Sequence, residues 1–84
     1  MTLKLLCAGA NDTSFQPVKS AFAEEDINII RATSIALTLF LARKNLPHLI
    51  ICEQDLIDGD LSTLFSEIKN DPDLAKIPVL KIIS

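Results

Sequence analysis

Carboxylates follow two of the short apolar segments in this sequence, at positions where they could act together. Asp12 comes a few residues after the apolar segment 3–8, and Glu53 and Asp55 come directly after the apolar segment 49–52. Carboxylate oxygens bind hard divalent cations, accept protons and can act as nucleophiles. The sequence therefore offers Asp12, Glu53 and Asp55 as one candidate site for small-ligand binding or phosphotransfer.

The remaining residue types that support chemistry are few and form no recognised motif. Cys7 and Cys52 lack a Cys-x-x-Cys spacing and lie inside apolar segments, so we interpret them as reduced core residues. His48 is the single histidine, which leaves no zinc set and no Ser-His-Asp set. The two glycines, Gly9 and Gly59, are too few for a phosphate-binding glycine loop. No metal or other cofactor is therefore predicted.

The composition describes one small, acidic domain. The chain has 84 residues, which we interpret as a single domain over 1–84. Eight Lys and Arg against eleven Asp and Glu give a net charge of −3, unlike the basic surface of a nucleic-acid binder. The hydrophobic share is 49%, but no apolar stretch has the length of a membrane span and the N-terminus does not resemble a secretory signal. We expect a cytoplasmic domain that binds neither nucleic acid nor membrane.

Strand-like and helix-like patterns alternate along the chain. Short apolar runs predict strands at 3–8, 27–30, 49–52 and 77–83, and helical spacing predicts helices that begin near Pro17, Ile35 and Leu61. Such alternation favours a mostly parallel sheet with helices on both faces. The predicted fold class is therefore an α/β domain with an open parallel sheet in the order βαβαβαβ.

Polar residues mark the ends of the predicted helices. Ser34 is expected to cap the second helix at its N-terminus, and Lys44 carries the positive charge that favours a helix C-terminus. Asp58 and Asp60 flank Gly59. We interpret the two aspartates as a turn followed by the N-cap of the third helix, rather than as metal ligands.

Several segments resemble the receiver domains of bacterial response regulators. Pro47–Glu53 resembles the strand that leads to the phosphorylated aspartate of that family, and Leu56–Leu61 resembles the loop that follows. Asn70–Pro72 and Ile77–Val79 are similar to the family's approach to its fourth strand, and the spacing continues without a gap over positions 4–84. The resemblance implies a flavodoxin-like strand order of 2-1-3-4. It covers only the front portion of a receiver, so the chain reads as a receiver truncated after the fourth strand.

The positions that carry the family's phosphorylation chemistry are changed in this sequence. The resemblance places the family's magnesium-binding acidic pair at Gly9 and Ala10, its phosphoacceptor aspartate at Glu53 and its switch Thr or Ser at Ile83. The catalytic Lys of the family would lie beyond Ser84. Aspartyl phosphorylation needs a carboxylate nucleophile, a divalent ion on oxygen ligands, and a positioned cation and hydroxyl. The changed positions are therefore those that the phosphorylation reaction requires.

The changed residues predict a non-catalytic domain. Gly9 and Ala10 offer no side-chain oxygen. Glu53 is one methylene longer than Asp, and a displacement of a reacting group by about 1 Å can lower a rate about a hundredfold. A shift of the first strand by two residues would place Asp12 in the acidic pair, but it breaks the continuous spacing, which favours Asp12 as a helix cap. Whether Glu53 mimics a phosphorylated state is left open.

The predicted fourth strand would form an edge of the sheet. Val79, Leu80 and Ile82 would then present apolar side chains and unpaired backbone groups, with Lys76 and Lys81 as the nearby charges. We expect homodimerisation or strand addition to a protein partner at this edge. The predicted function is a non-catalytic pseudo-receiver interaction module in bacterial signal transduction. The alternatives are a flavodoxin-like ligand-binding or phosphotransfer domain that uses the acidic cluster, and a shortened piece of a longer regulator.

Overall fold

Strands and helices alternate along the chain, as predicted from the sequence. The computed structural model describes residues 3–10, 15–21 and 26–82. In chain order the elements are β1 (Leu3–Ala8), α1 (Gln16–Ala21), β2 (Ile27–Ala32), α2 (Ile35–Asn45), β3 (Leu49–Cys52), β4 (Asp55–Leu56), β5 (Gly59–Asp60), α3 (Leu61–Lys69) and β6 (Val79–Lys81). Within these ranges no helix has the length and apolar character needed to cross a membrane.

Four of the strands form a parallel sheet with β1 near its centre. Their order is β2-β1-β3-β6, which confirms the predicted α/β fold and the strand order 2-1-3-4. Leu6 of β1 is aligned with Ile30 of β2 and with Ile50 of β3, and Ile50 is aligned with Val79 of β6. Because the strands are parallel, their carboxyl ends lie together at one end of the sheet, where ligands of such folds usually bind.

Each strand contributes side chains to both faces of the sheet, because successive residues of a strand point in opposite directions. Leu6 and Ile50 are buried on the face that packs against α2 and α3, which we call the α2–α3 face. Leu5 and Ile51 are buried with Phe15 on the opposite face, which we call the α1 face. A core on both sides is the arrangement that the alternating sequence pattern predicted.

The two cysteines are buried in these cores, in agreement with the sequence prediction. The strand register aligns Cys7 with Ile51 and Ala8 with Cys52. Cys7 and Cys52 therefore point to opposite faces of the sheet, and their sulfur atoms cannot meet in a disulfide. Burial, with a further contribution from the Glu53 carboxylate, raises the pKa of the Cys52 thiol to about 11. A thiol in that state is a poor nucleophile at neutral pH.

The segment after β3 has more structure than the turn that the sequence predicted. β4 and β5 form a short antiparallel hairpin in which Asp55 is aligned with Asp60 and Leu56 with Gly59. Leu56 is buried in the core of the α2–α3 face. The side chain of Leu56 anchors the hairpin to the domain, and two residues per strand are too few for the periodicity of the sequence to reveal them.

The last strand is shorter than predicted. The predicted strand covers 77–83, whereas β6 begins at Val79 and the described residues end at Ile82. Ile77 belongs to the preceding turn, because its N–H donates to the carbonyl oxygen of Leu74 at 3.0 Å. Burial of Ile77 in the core of the α2–α3 face explains its apolar character without a place in the strand.

Both ends of α2 show specific capping. The Oγ atom of Ser34 accepts a hydrogen bond from the N–H of Leu37 at 3.0 Å, which confirms the predicted N-cap. At the other end Leu46 has a φ of 47°, in the left-handed region, and its N–H donates to the carbonyl oxygen of Ala42. Glycine is the residue that usually takes this conformation, because a Cβ atom is strained there.

Replacement of Leu46 by glycine should stabilise the domain. A left-handed conformation costs an L-residue about 1–2 kcal/mol, and the greater freedom of glycine in the unfolded chain offsets part of the gain. The expected result for Leu46→Gly is a rise of about 1 kcal/mol in the free energy of unfolding in urea. Leu46→Ala is the matched control, since it removes the same exposed side chain and keeps the Cβ atom. An equal gain in both variants would contradict the explanation by backbone strain.

Candidate functional site

The carboxyl ends of β1 and β3 bring three of the predicted site residues together. Gly9 and Ala10 follow β1, and Glu53 follows β3. The N–H of Glu53 donates to the carbonyl oxygen of Ala8 at 2.9 Å, and the N–H of Gly9 donates to that of Ala32 at 2.9 Å. Backbone hydrogen bonds to both neighbouring strands therefore place Gly9 beside Glu53.

The side chain of Glu53 occupies the space next to Gly9. A Cβ atom built on Gly9 would lie 2.7 Å from both Cγ and Cδ of Glu53 and would overlap its Oε1 atom. Gly9 does not have a positive φ, so its backbone does not itself require glycine. The absence of a side chain at residue 9 is therefore what gives the Glu53 carboxylate its room.

Arg31 supplies a positive charge at this end of the sheet that the sequence analysis did not single out. Its Nη1 donates to the carbonyl oxygen of Cys7 at 2.7 Å and its Nη2 to that of Gly9 at 3.3 Å. Its Cζ atom lies 4.4 Å from the centroid of the Phe15 ring, a cation–π geometry. The guanidinium thus ties the end of β1 to β2. A charged residue directly after the isoleucines of the predicted strand 27–30 was the signal for it in the sequence.

The loop after Glu53 is tied to the neighbouring elements by backbone groups. The N–H of Ala10 donates to the carbonyl oxygen of Asp55 at 3.2 Å, and the N–H of Ile57 donates to that of Thr33 at 3.1 Å. The N–H of Leu61 donates to the carbonyl oxygen of Gln54 at 2.9 Å. These bonds connect the hairpin to the end of β1, to the start of α2 and to the start of α3.

Two aspartates of this hairpin cap helices. Asp58 accepts hydrogen bonds from the N–H groups of Ile35 at 2.6 Å and Ala36 at 3.3 Å, so it caps α2, a role in addition to the predicted turn. Asp60 accepts from the N–H of Thr63 at 3.0 Å and caps α3, as predicted. The backbone donor of Ile35 lowers the pKa of Asp58, and that of Thr63 lowers the pKa of Asp60.

Two other predicted site residues are not described by the structure, and His48 lies away from the site. Asp12 and Ile83 lie outside the described residues, so the acidic cluster of Asp12, Glu53 and Asp55 stays a prediction. In the part of the chain that is described, no group of three His, Cys, Asp or Glu could hold a metal ion. His48 lies at the amino-terminal end of the strands, where its Nδ1 accepts a hydrogen bond from the N–H of Lys4 at 3.0 Å.

Solved structures show what this arrangement is similar to. A protein assigned as a response regulator from Chloroflexus aurantiacus J-10-fl superposes with a TM-score of 0.87 and 26% identity, over 96% of this chain and 66% of that chain. A response regulator from Desulfuromonas acetoxidans gives a TM-score of 0.78 and 27% identity, over 94% and 64% of the two chains. The chemotaxis response regulator CheY4 of Vibrio cholerae gives 0.84 and 15%, over 96% and 68%. This chain has the fold of a response-regulator receiver domain.

The receiver-like chain spans just under two thirds of the length of the Chloroflexus and Desulfuromonas proteins. No family model and no curated protein matches its sequence. The likeness to the receiver domains therefore rests on the three-dimensional arrangement of strands and helices, together with the segments that already resembled the family in the sequence.

Replacement of Gly9 by alanine should displace the Glu53 side chain of this receiver-like domain. The clashing atoms belong to the outer part of a flexible side chain, so we expect Gly9→Ala to lower the free energy of unfolding by only about 1 kcal/mol. In a Glu53→Ala background, which removes all three clashing atoms, the same substitution should be close to neutral. A double-mutant cycle in urea measures this coupling. Equal losses in both backgrounds would show that Glu53 does not fill the space.

The stability of the domain at acid pH should depend on Asp58. Its pKa in the folded state is below its ordinary value of 3.8, so its stabilising contribution is present above that value and is lost as the pH falls further. Asp58→Asn keeps an acceptor oxygen but does not titrate. We therefore expect a smaller fall in Tm between pH 6 and pH 3 for this variant than for the wild type. Asp73→Asn, at an exposed carboxylate in the turn after α3, is the control for lost charge, and an equal effect there would rule out a specific role of Asp58.

Proposed function

We propose that this chain is a non-catalytic receiver-like module of cytoplasmic signal transduction that acts through protein contacts and is not phosphorylated at Glu53. The observation that carries the proposal is the position of the Glu53 side chain against Gly9. By the family resemblance, this is the space between the acceptor position and the metal-binding acidic pair. A side chain that fills this space leaves little room for a phosphoryl group and its cation.

Among the residues that the structure describes, no cluster of carboxylate, imidazole or thiol ligands at the site could hold a divalent cation. Mg²⁺ prefers near-octahedral coordination by oxygen atoms, usually including one or two carboxylates. Gly9 and Ala10 contribute no side-chain oxygen, and the nearby carboxylates of Asp58 and Asp60 accept hydrogen bonds from the first turns of α2 and α3. Recruitment of these two carboxylates to a metal would leave α3 without its N-cap and α2 with Ser34 as its cap alone. This cost supports a site without magnesium.

A surface feature that supports binding is the strand β6 at the side of the sheet. Leu80 on this strand is 54% exposed. Among the described residues β6 has a neighbour on one side only, namely β3. An edge strand of this kind can accept a strand from a partner protein or from a second copy. The proposed function therefore assigns binding to β6.

Acetyl phosphate in the presence of Mg²⁺ tests the first part of this function. We expect intact-mass spectrometry to show no added phosphoryl group on the wild type. The Glu53→Asp variant should also stay unmodified, because it restores the acceptor but not the metal ligands at residues 9 and 10. A phosphorylatable receiver in the same mixture serves as the positive control. A phosphoryl group mapped to Glu53 would contradict the proposal, and one mapped to Asp12 or Asp55 would favour the alternative phosphotransfer site.

A further inference from the structure

We infer that the exposed side of α2 binds the α2 of a second copy of this chain, with the two helices antiparallel and related by a two-fold axis near Phe40. This surface is separate from β6, so the inference goes beyond the proposed function and does not depend on it. It follows from the apolar character of α2, from the strained backbone at Leu46 and from the charges at the two ends of the helix.

The outward side of α2 is apolar, although no element of the described chain covers it. The buried residues of the helix, which face the core, are Ile35, Thr38, Leu39 and Ala42. On the opposite side Leu37 is exposed, and Phe40 is 58% exposed. A helix that is apolar all round is normally buried on all sides. α2 is buried on one side only.

The neighbouring helix α3 has the pattern expected of a helix that faces water. Its buried residues are Leu64 and Ile68, whereas Ser62, Ser66 and Glu67 are exposed. α2 and α3 pack against each other on the same face of the sheet. The apolar outward side is therefore a property of α2 and not of this helix layer.

Exposed apolar side chains are concentrated around α2. Of the seven large apolar side chains that are exposed in the described part of the chain, four lie on α2 or at its ends, namely Leu37, Phe40, Leu46 and Ile57. Ile57 adjoins the start of the helix, because its N–H donates to the carbonyl oxygen of Thr33. We call these four residues the α2 patch. Exposed apolar surface of this kind marks a site of association.

The α2 patch lies away from the end of the described chain. α2 packs over β1 and β2, whereas β6 lies on the other side of β3. A strand paired with β6, or a helix packed beside that strand, would therefore lie at the far side of the sheet. Such an addition would leave the α2 patch uncovered.

The backbone at Leu46 is independent evidence that the patch has a use. Its φ of 47° is a conformation that glycine takes more easily, and a residue before a proline, here Pro47, normally takes an extended conformation. The Leu46 side chain is 57% exposed, so the core gains little from it. Backbone strain of this kind is concentrated at functional sites.

The charges at the two ends of α2 select a second copy as the occupant. Lys44 lies in the last turn, seven residues after Leu37 and so on the same side of the helix. The Asp58 carboxylate lies at the first turn, where it accepts hydrogen bonds from Ile35 and Ala36. In an antiparallel pair each positive end meets the negative end of the other copy, whereas a parallel pair brings like charges together. One surface thus supplies both halves of the interface, as two-fold symmetry requires.

The length of the helix determines the register. α2 has eleven residues, with Phe40 at its centre. An axis between Phe40 and Leu41 packs each Phe40 on the Leu41 of the other copy and places Leu37 opposite Lys44. The aliphatic stem of Lys44 can then cover Leu37 while its ammonium group extends toward Asp58 of the other copy.

The same register brings the ends of the patch together. At a rise of 1.5 Å per residue, Leu46 lies about 8 Å from the axis along the helix, and the segment next to Ile57 lies about 10 Å from it on the other side. The two-fold axis therefore places Leu46 of one copy near Ile57 of the other. All four residues of the α2 patch would be covered in the pair.

Sedimentation velocity up to about 1 mM protein tests the inference, because a single helix from each copy gives a small interface and a weak dimer. We expect the dimer fraction of the wild type to rise with concentration. Phe40→Glu should raise the dissociation constant at least about tenfold, as expected for an aromatic residue at the centre of an interface. Phe65→Glu is the matched control, since Phe65 is also exposed and also has a lysine four residues later. Circular dichroism checks that both variants fold.

Leu46→Gly separates binding from folding. This variant is expected to raise the free energy of unfolding by removing backbone strain, yet it should weaken the dimer by removing a member of the α2 patch. Leu46→Ala should weaken the dimer to the same extent without relieving the strain. Weaker association of a variant that is more stable than the wild type cannot result from misfolding.

Disulfide trapping tests the orientation of the two helices. In the antiparallel register two copies of Leu37→Cys lie about 10 Å apart along the helix direction alone, as do two copies of Lys44→Cys, which is beyond disulfide reach. Neither variant should form a covalent dimer by itself, whereas an equal mixture of the two should give the mixed dimer on mild oxidation. The native cysteines are buried, so the wild type gives the background. A covalent dimer of Lys44→Cys alone would indicate parallel helices and contradict the inference.

Two further results would overturn the inference. A wild type that stays monomeric over the whole concentration range would leave the α2 patch to a partner of another sequence, and equal effects of Phe40→Glu and Phe65→Glu would show that the patch is not the interface. A dimer that Leu80→Arg abolishes and Phe40→Glu leaves unchanged would also overturn it, while supporting the proposed binding at β6. Phosphorylation of Glu53 would remove the proposed function and leave the pairing through α2 intact.

Discussion

The side chain of Glu53 lies against the end of β1 because residue 9 has no side chain of its own. The parallel register of β1 and β3 brings the two residues together, and the backbone hydrogen bond from Glu53 to Ala8 holds them there. In an open α/β fold of this kind, ligands bind beyond the carboxyl ends of the strands. In this chain the side chain of Glu53 occupies the space beside Gly9 at that end of the sheet.

Two aspartates near this end of the sheet stabilise helices by capping them. Asp58 caps α2 from the hairpin, and Asp60 caps α3, so the loop after β3 is joined to two helices through carboxylates. Charge-assisted hydrogen bonds of this kind also favour the negative charge of a carboxylate at a helix N-terminus. The guanidinium of Arg31 joins β2 to the last carbonyl groups of β1 in a similar way. Charged groups at the strand ends thus connect secondary-structure elements.

The position of Glu53 and the exposure of Leu80 both support the proposed function. With this space filled, the proposed function relies on an exposed strand rather than on a change of charge by phosphorylation. β6 is short and carries Lys81, two features that restrain indiscriminate pairing of edge strands.

The sequence by itself determined the α/β fold, the order of the elements and the caps at Ser34 and Asp60, because hydrophobic periodicity and helix-end residues are local signals. The resemblance to receivers added the strand order and the pairing of Gly9 with Glu53 at one edge. Only the tertiary structure decided that Glu53 fills the space beside Gly9, that Asp58 caps α2 and that Arg31 binds the end of β1. Each of these contacts joins residues that are far apart in the sequence, and its geometry depends on how the strands align and how the hairpin packs.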